Sequence, residues 1–188
     1  MAEVLLLHHA GGLTPGLVAL ADDLRREGHT VHAPDLFDGK TFSRLEDGVA
    51  YSREIGFDER AEAAANDMPD DLVYVGYSLG VMAAQKLTQT RAGAKGAILV
   101  SSAVKPEEFG APWPQSVPVQ IHMMENDEWV QGYDLDAAHE IADTVPGAEL
   151  FLYPGAGHLF ADSSSPDYDE RAAASLRRRV LEFLSAVG

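Results

Sequence analysis

The sequence predicts an α/β fold in which a six-stranded, mostly parallel sheet carries helices on both faces. Two observations lead to this prediction. Six short apolar runs alternate with helix-forming segments, and strand–helix–strand connections of this kind are nearly always right-handed and parallel. In addition, no repeat, linker or shift in composition divides the chain, so we expect one domain over residues 1–188 and no cap domain.

Each predicted strand is a run of four or five mostly apolar residues, the length typical of a strand buried in a sheet. The runs cover residues 4–7, 30–33, 72–75, 97–100, 119–123 and 150–153. All six are far too short to span a bilayer.

The segments between these runs carry helix signals. Start signals are Thr14 before Pro15, the capping-box pair Ser43 and Glu46, the position of Ser78, the possible cap Asp134, and a region near Pro166. Stop or break signals are Gly28, Gly56 and the pair Pro146 and Gly147. The pattern therefore places a helix after almost every strand.

The composition excludes several classes of function. With 14 Lys and Arg against 30 Asp and Glu, the net charge of −16 argues against nucleic acid and anionic membrane surfaces as partners. The absence of cysteine excludes disulfides, thiolate metal sites and a cysteine nucleophile. No basic, signal-like segment precedes the first apolar run, so we expect a cytoplasmic protein.

The sequence Gly76-Tyr77-Ser78-Leu79-Gly80 follows the third predicted strand and precedes a helix-forming segment. This is the context of a nucleophile elbow, in which two glycines leave room for a tight turn that exposes the serine. The motif alone is weak, because chance supplies it in about one chain in ten of this glycine content. Ser78 is therefore a candidate nucleophile that needs partners elsewhere in the chain.

Two such partners follow later strands. Asp127 comes after the fifth apolar run and His158 after the sixth, and the carboxyl ends of parallel strands are where open sheets bind ligands. Serine needs an imidazole to take its proton, and the imidazole needs an acid to orient it. The chain order Ser78, Asp127, His158 is the order of the α/β-hydrolase topology.

Each partner has an alternative interpretation. Glu125 or Glu128 could take the place of Asp127, or the acidic turn could simply be solvated. His158 could be a loop histidine packed by Phe160. The agreement of residue type, order and placement favours the catalytic interpretation over these.

An acyl-transfer site also needs two donors for the oxyanion. We predict the backbone N–H of Leu79 and that of Ala10, with His9 or Gly11 as alternatives to Ala10. Side chains that could line an acyl pocket, or else lie in the core, are His9, Tyr77, Trp113, Met124, Trp129 and Phe160.

A metal or nucleotide cofactor is not predicted. The adjacent pair His8 and His9 diverges on a strand end and lacks a further ligand motif. Neither a dinucleotide fingerprint nor a phosphate-binding loop motif occurs.

Five segments of the chain resemble the dienelactone hydrolase family of α/β-hydrolases. They are LLLHHAGGLTPG, GHTVHAPDLFDG, GYSLG, VPVQIHMMENDEW and YPGAGHLFAD, and they run nearly from end to end. The resemblance implies a triad of Ser78, Asp127 and His158, with an oxyanion hole at Leu79 and Ala10.

The chain departs from that family at two places. The family has cysteine where this chain has Ser78, and a glutamate that partners the cysteine where this chain has His9. The segment between Gly39 and Leu72 is also shorter, so the arginines that bind the family's carboxylate substrate have no clear equivalents here. Candidates for them are Arg44, Arg53 and Arg60.

The sequence therefore predicts a serine hydrolase that cleaves small carboxylic esters or lactones through an acyl-enzyme, without a cofactor or metal. The negative net charge favours neutral over anionic substrates. One alternative is a ligand-binding module that keeps the fold without catalysis. Another is a thioesterase or acyltransferase that uses the same triad. No oligomeric state is predicted.

Overall fold

Six parallel strands form one sheet in the computed structural model, which describes residues 1–188. The strands are β1 (Glu3–Leu7), β2 (Thr30–His32), β3 (Leu72–Tyr77), β4 (Gly96–Val100), β5 (Val119–Met124) and β6 (Ala148–Tyr153). Their order across the sheet is β2-β1-β3-β4-β5-β6, and every neighbouring pair is parallel. All six predicted strands are confirmed.

Six α-helices connect the strands. They are α1 (Pro15–Arg26), α2 (Leu45–Ile55), α3 (Phe57–Asn66), α4 (Leu79–Thr90), α5 (Tyr133–Thr144) and α6 (Glu170–Val187). A 3₁₀ turn (Pro106–Phe109) lies in the long loop before β5. None of these helices combines the length and apolar composition needed to cross a membrane.

The alternation of side chains along each strand creates two packed layers. On β1, Val4 and Leu6 face α1 and α6, whereas Leu5 and Leu7 face α3 and α4. The β4 and β5 residues on the second side pack against α5. Both faces of the sheet are therefore covered, as predicted, and the strand ends remain available for a site.

The glycine break between α2 and α3 is confirmed, but the predicted capping box is wrong. Gly56 has φ 68°, which ends α2 and starts α3. The N-cap of α2 is Arg44, and its side chain makes no capping hydrogen bond. Ser43 and Glu46 lie one residue too early for a box, since the helix begins at Leu45.

Two later helices also begin at residues other than those predicted. Gly132 with φ 81° is the N-cap of α5, so Asp134 lies inside the first turn and its carboxylate is available for other contacts. The N-cap of α6 is Asp169, whose carboxylate accepts hydrogen bonds from the N–H groups of Arg171 and Ala172. This helix starts later than the region near Pro166.

His8 fixes the carboxyl end of β1 and is held neutral. Its Nδ1 bonds the carbonyl of His9 at 2.9 Å, and its Nε2 accepts from the N–H of Leu36 at 3.2 Å. The rings of Phe37 and Phe57 pack edge-on against the imidazole. Burial lowers the pKa of His8 to about 4, because the imidazolium would lose hydration and gain a proton where Nε2 accepts.

We expect His8 to make stability depend on pH below neutrality. The folded pKa is about 4, whereas an unfolded histidine titrates near 6.5. Between these values the unfolded chain binds more protons at this position, so His8 alone lowers the free energy of unfolding by about 1.4 kcal/mol per unit of decreasing pH. The buried His122, whose pKa is lowered to about 3, adds to the total slope. Urea unfolding between about pH 7 and 4.5 measures this slope.

His8→Gln should reduce that slope by about one proton's contribution, even if it lowers stability at pH 7. The matched control is His139→Gln, at an exposed position on α5, which should leave the slope unchanged. Equal slopes in wild type and His8→Gln would contradict the proposed burial of a neutral imidazole.

Candidate active site

The turn between β3 and α4 holds Ser78 in a strained conformation. Its backbone has φ 47° and ψ −109°, a region that side-chain-bearing residues rarely adopt. The Ser78 N–H donates to the carbonyl of Val100 at 2.7 Å, which ties the turn to the end of β4. The serine side chain consequently lies at the carboxyl edge of the sheet.

The two flanking glycines are required by close packing. A Cβ on Gly76 would lie 2.6 Å from the Cα of Val81, and one on Gly80 would lie 2.3 Å from the carbonyl oxygen of Leu7. Such distances are shorter than real Cβ atoms tolerate. The glycines therefore let α4 approach β3 and β1 closely enough to form the turn.

Ser78, His158 and Asp127 form a continuous hydrogen-bond chain. Ser78 Oγ lies 2.7 Å from His158 Nε2, and His158 Nδ1 lies 2.6 Å from Asp127 Oδ2. Because the carboxylate accepts from Nδ1, the neutral imidazole leaves Nε2 to accept the serine proton. The other carboxylate oxygen, Oδ1, accepts from the N–H of Trp129 at 2.9 Å. The three side chains thus have defined donor and acceptor roles.

The acid in contact with His158 is Asp127 rather than a neighbour. Asp127 is 1% exposed, whereas Glu125 and Glu128 are exposed to solvent. Asp162, also buried, bonds His9 instead of His158. The fold therefore selects one carboxylate from several that are close in sequence.

Ser101 binds the backbone of His158, a contact that the sequence does not predict. It follows β4 with φ 60°, and its hydroxyl donates to the carbonyl of His158 at 2.6 Å. Its N–H donates to the carbonyl of His122 on β5 at 2.8 Å. No local pattern marks this residue, since the strained backbone and its partner become visible only in the folded chain.

Leu79 and Ala10, the residues predicted to supply the oxyanion donors, line the same cleft as Ser78. Leu79 is the first residue of α4, so its N–H has no partner within the helix. The N–H of Ala10 has no acceptor within the protein. Helix α2 packs closely against the loop that contains Ala10, since a Cβ on Gly48 would lie 1.8 Å from the Ala10 carbonyl oxygen.

These groups open into a cleft of about 190 Å³. The cleft is lined by the residues described above and by five others. The lining residues are Ala10, Ser78, Leu79, Ser101, Trp129 and His158, together with Leu45, Val49, Met82, Ser102 and Asp134. No lysine or arginine lines the cleft. A larger cleft of about 610 Å³ lies between the loop before β5 and α5, and none of the three hydrogen-bonded side chains lines it.

Most side chains predicted to line an acyl pocket lie elsewhere. Three of them, Tyr77, Met124 and Phe160, are buried in the layer that contains α1 and α6. The alternation of side chains along the strands and the packing of the loop direct them to that face of the sheet. Trp113 packs against β4, β5 and α5, and its indole N–H donates to the carbonyl of Val117 at 2.7 Å. Of the predicted set, only Trp129 contributes its ring to the cleft.

His9, the sixth predicted pocket side chain, is fully buried in a separate network. Its Nε2–H donates to Asp162 Oδ2 at 2.9 Å, and its Nδ1 accepts from the N–H of Gly11 at 2.9 Å. The hydroxyl of Thr14 donates to the same Oδ2 at 2.6 Å. His9 therefore connects the Ala10 loop and the start of α1 to the loop that follows His158.

Asp162 is the centre of this network. Its Oδ1 accepts from both the N–H and the hydroxyl of Ser164, at 2.8 and 2.6 Å. Burial alone would raise the pKa of Asp162, but the hydrogen bonds from His9, Ser164 and Thr14 outweigh it and hold the pKa well below its usual value. The carboxylate therefore stays ionised and binds three chain segments at once.

The three arginines considered as carboxylate-binding candidates do not line the cleft. Arg60 bonds Asp38 at 2.7 Å, and Arg44 lies 3.9 Å from Glu46 on the surface. Arg53 is exposed in the last turn of α2. No group of three or more His, Asp or Glu side chains is arranged to hold a metal ion.

Comparison with known proteins identifies the family. The model of the dienelactone hydrolase family matches residues 2–188. None of the curated proteins compared with the chain matches it.

Several solved structures share the fold. A protein designated m3DLH has a TM-score of 0.77 at 20% identity, covering 99% of this chain and 86% of its own. The dienelactone hydrolase-like promiscuous phosphotriesterase P91 from metagenomic libraries also has a TM-score of 0.77 at 20% identity, covering 100% and 87%. A cold-adapted esterase from an Arctic intertidal metagenomic library has 0.66 at 21%, covering 97% and 82%.

These structures confirm a minimal α/β-hydrolase fold, and the match over nearly the whole length shows that the chain belongs to the dienelactone hydrolase family.

Proposed function

We propose that this member of a hydrolase family is a serine hydrolase of carboxylic esters or lactones that works through an acyl-enzyme. The observation that carries the proposal is the hydrogen-bond chain from Ser78 through His158 to Asp127, in a cleft that Leu79 and Ala10, with their unpaired N–H groups, also line. Family membership and an esterase among proteins of the same fold support it.

In the first half-reaction, Ser78 Oγ attacks the ester carbonyl while its proton passes to His158 Nε2, 2.7 Å away. Asp127 stabilises the imidazolium through the bond to Nδ1. The carbonyl oxygen becomes an oxyanion, which the N–H groups of Leu79 and Ala10 bind. The imidazolium then gives its proton to the leaving oxygen, the carbon–oxygen bond breaks, and the acyl group remains on Ser78.

In the second half-reaction, water attacks the acyl carbon and gives a proton to His158 Nε2. The same two N–H groups bind the second oxyanion. Collapse of this intermediate breaks the bond to Ser78 Oγ, which recovers its proton from His158. The products are the free acid and the original enzyme, so no cofactor enters the balance.

The site supports hydrolysis better than ligand binding alone. A binding module has no use for a buried acid, an oriented imidazole and a strained serine, and strain of this kind is retained where it serves function. Transfer of the acyl group to thiol or alcohol acceptors would use the same residues. Product analysis with added acceptor alcohols separates that alternative from hydrolysis.

Ser78→Ala should abolish turnover of a short-chain nitrophenyl ester. Because the substitution removes the nucleophile and leaves the rest of the cleft, we expect kcat to fall on the order of 10⁴ to 10⁶. The rate of nitrophenolate release gives kcat, and circular dichroism checks that the variant is folded. The control Ser185→Ala, on the exposed side of α6, should keep wild-type activity. Equal rates for wild type and Ser78→Ala would refute the nucleophile assignment.

Asp162→Asn should slow catalysis through the position of the Ala10 loop. In the variant, an NH2 group replaces one of the two carboxylate oxygens, which accept from His9, Thr14 and Ser164. Because NH2 is a donor, it cannot accept these hydrogen bonds, and at least one of them is lost. We expect kcat to fall roughly 10- to 100-fold with little change in KM, because the oxyanion donor is displaced.

The control for that variant is Asp143→Asn, at an exposed position on α5. Steady-state kinetics at matched folding give the two constants separately. A stability loss without a change in kcat would show that Asp162 has a purely structural role.

A further inference from the structure

The cleft contains a carboxylate that the proposed triad does not use. Asp134, in the first turn of α5, lines the same cleft as Ser78 and His158. Its Oδ1 accepts from the Ser102 hydroxyl at 2.5 Å and from the Ala103 N–H at 3.3 Å. These two bonds fix the side chain against the end of β4.

The second oxygen of this carboxylate has no donor in the protein. Oδ2 makes no hydrogen bond and is not fully buried, so it stays accessible on a residue that lines the cleft. Burial raises the pKa of Asp134, which reflects limited hydration of the carboxylate. A desolvated acceptor of this kind gains most from a positively charged group.

An aromatic ring lies in the same cleft. Trp129 is 49% exposed, an unusual exposure for a tryptophan, and its ring centroid is 5.5 Å from that of His158. An indole face attracts cations through its quadrupole. Its backbone N–H donates to Asp127 Oδ1, which ties this residue to the acid that contacts His158.

The charge of the cleft and of the whole chain also favours a cationic ligand. The cleft has no lysine or arginine to neutralise Asp134, and the whole chain carries a net charge of −16. A carboxylate-bearing substrate would meet uncompensated repulsion there, whereas a cation would be attracted from a distance.

We propose that Asp134 and Trp129 form a subsite for a cationic ammonium group, so that the preferred substrates are esters that carry one near the scissile bond. This inference rests on the proposed ester hydrolysis for its place in a reaction. The subsite itself is a matter of binding and can be tested without turnover.

The kinetic test compares two isosteric esters that differ only in charge, acetylcholine and 3,3-dimethylbutyl acetate. We expect the wild type to favour the choline ester by about tenfold or more in kcat/KM. Asp134→Asn keeps the size of the side chain and can still accept from Ser102, so it should reduce that ratio to about one. The readout is the ratio of the two kcat/KM values within each protein, so a general change in the activity of the variant cancels out.

Asp136→Asn, at an exposed position in the same turn of α5, is the matched control and should preserve the preference. Equal kcat/KM values for the two esters in the wild type would overturn the subsite while leaving the proposed hydrolysis intact.

The binding test uses tetramethylammonium as the probe and isothermal titration calorimetry as the readout. Binding to Ser78→Ala that is lost in Ser78→Ala combined with Asp134→Asn supports the subsite even if neither ester is hydrolysed. No binding to either protein, or equal binding to both, would overturn it. Failure of ester turnover with intact, Asp134-dependent binding would instead contradict the proposed function alone.

Discussion

The close approach of α4 to β3 and β1 is the constraint on which the site depends. A methyl group on Gly76 or Gly80 would overlap backbone atoms of neighbouring segments, so only glycine permits the contact. This contact forces Ser78 to φ 47° and directs its hydroxyl to the edge of the sheet. It also makes Leu79, whose N–H has no partner within α4, the residue directly after the serine. The proposed nucleophile and one proposed oxyanion donor therefore depend on the same packing contact.

The other parts of the site are loops that the fold joins by buried hydrogen bonds. Ser101 holds the carbonyl of His158 from the end of β4, and Asp162 bonds His9 across 153 positions of sequence. Asp162 lies four residues after His158, so one carboxylate couples the imidazole loop to the loop that presents Ala10. Ionised and hydrogen-bonded on both oxygens, it is a stiffer connection than apolar contact alone would provide.

The sequence predicts the framework well because its signals are local. Apolar runs give the six strands, and the elbow glycines with later Asp127 and His158 give the residues that the structure brings together. The pocket was predicted poorly. Tyr77 and Met124 lie near strand ends, but which face a side chain occupies depends on register, which nearness to a strand end does not reveal. The contacts of His9 with Asp162, and of Asp134 with Ser102, join segments whose separation in sequence hides them.

Covalent labelling is the direct test of Ser78 as the proposed nucleophile. The protein would be treated with a fluorophosphonate, which reacts with an activated serine by displacement of fluoride, and its intact mass and peptides would be measured. We expect one phosphonyl adduct, located on Ser78, and none in Ser78→Ala, since this is the only serine whose hydroxyl bonds an imidazole. The absence of an adduct on the folded protein, or labelling of another serine at the same rate in both proteins, would contradict it.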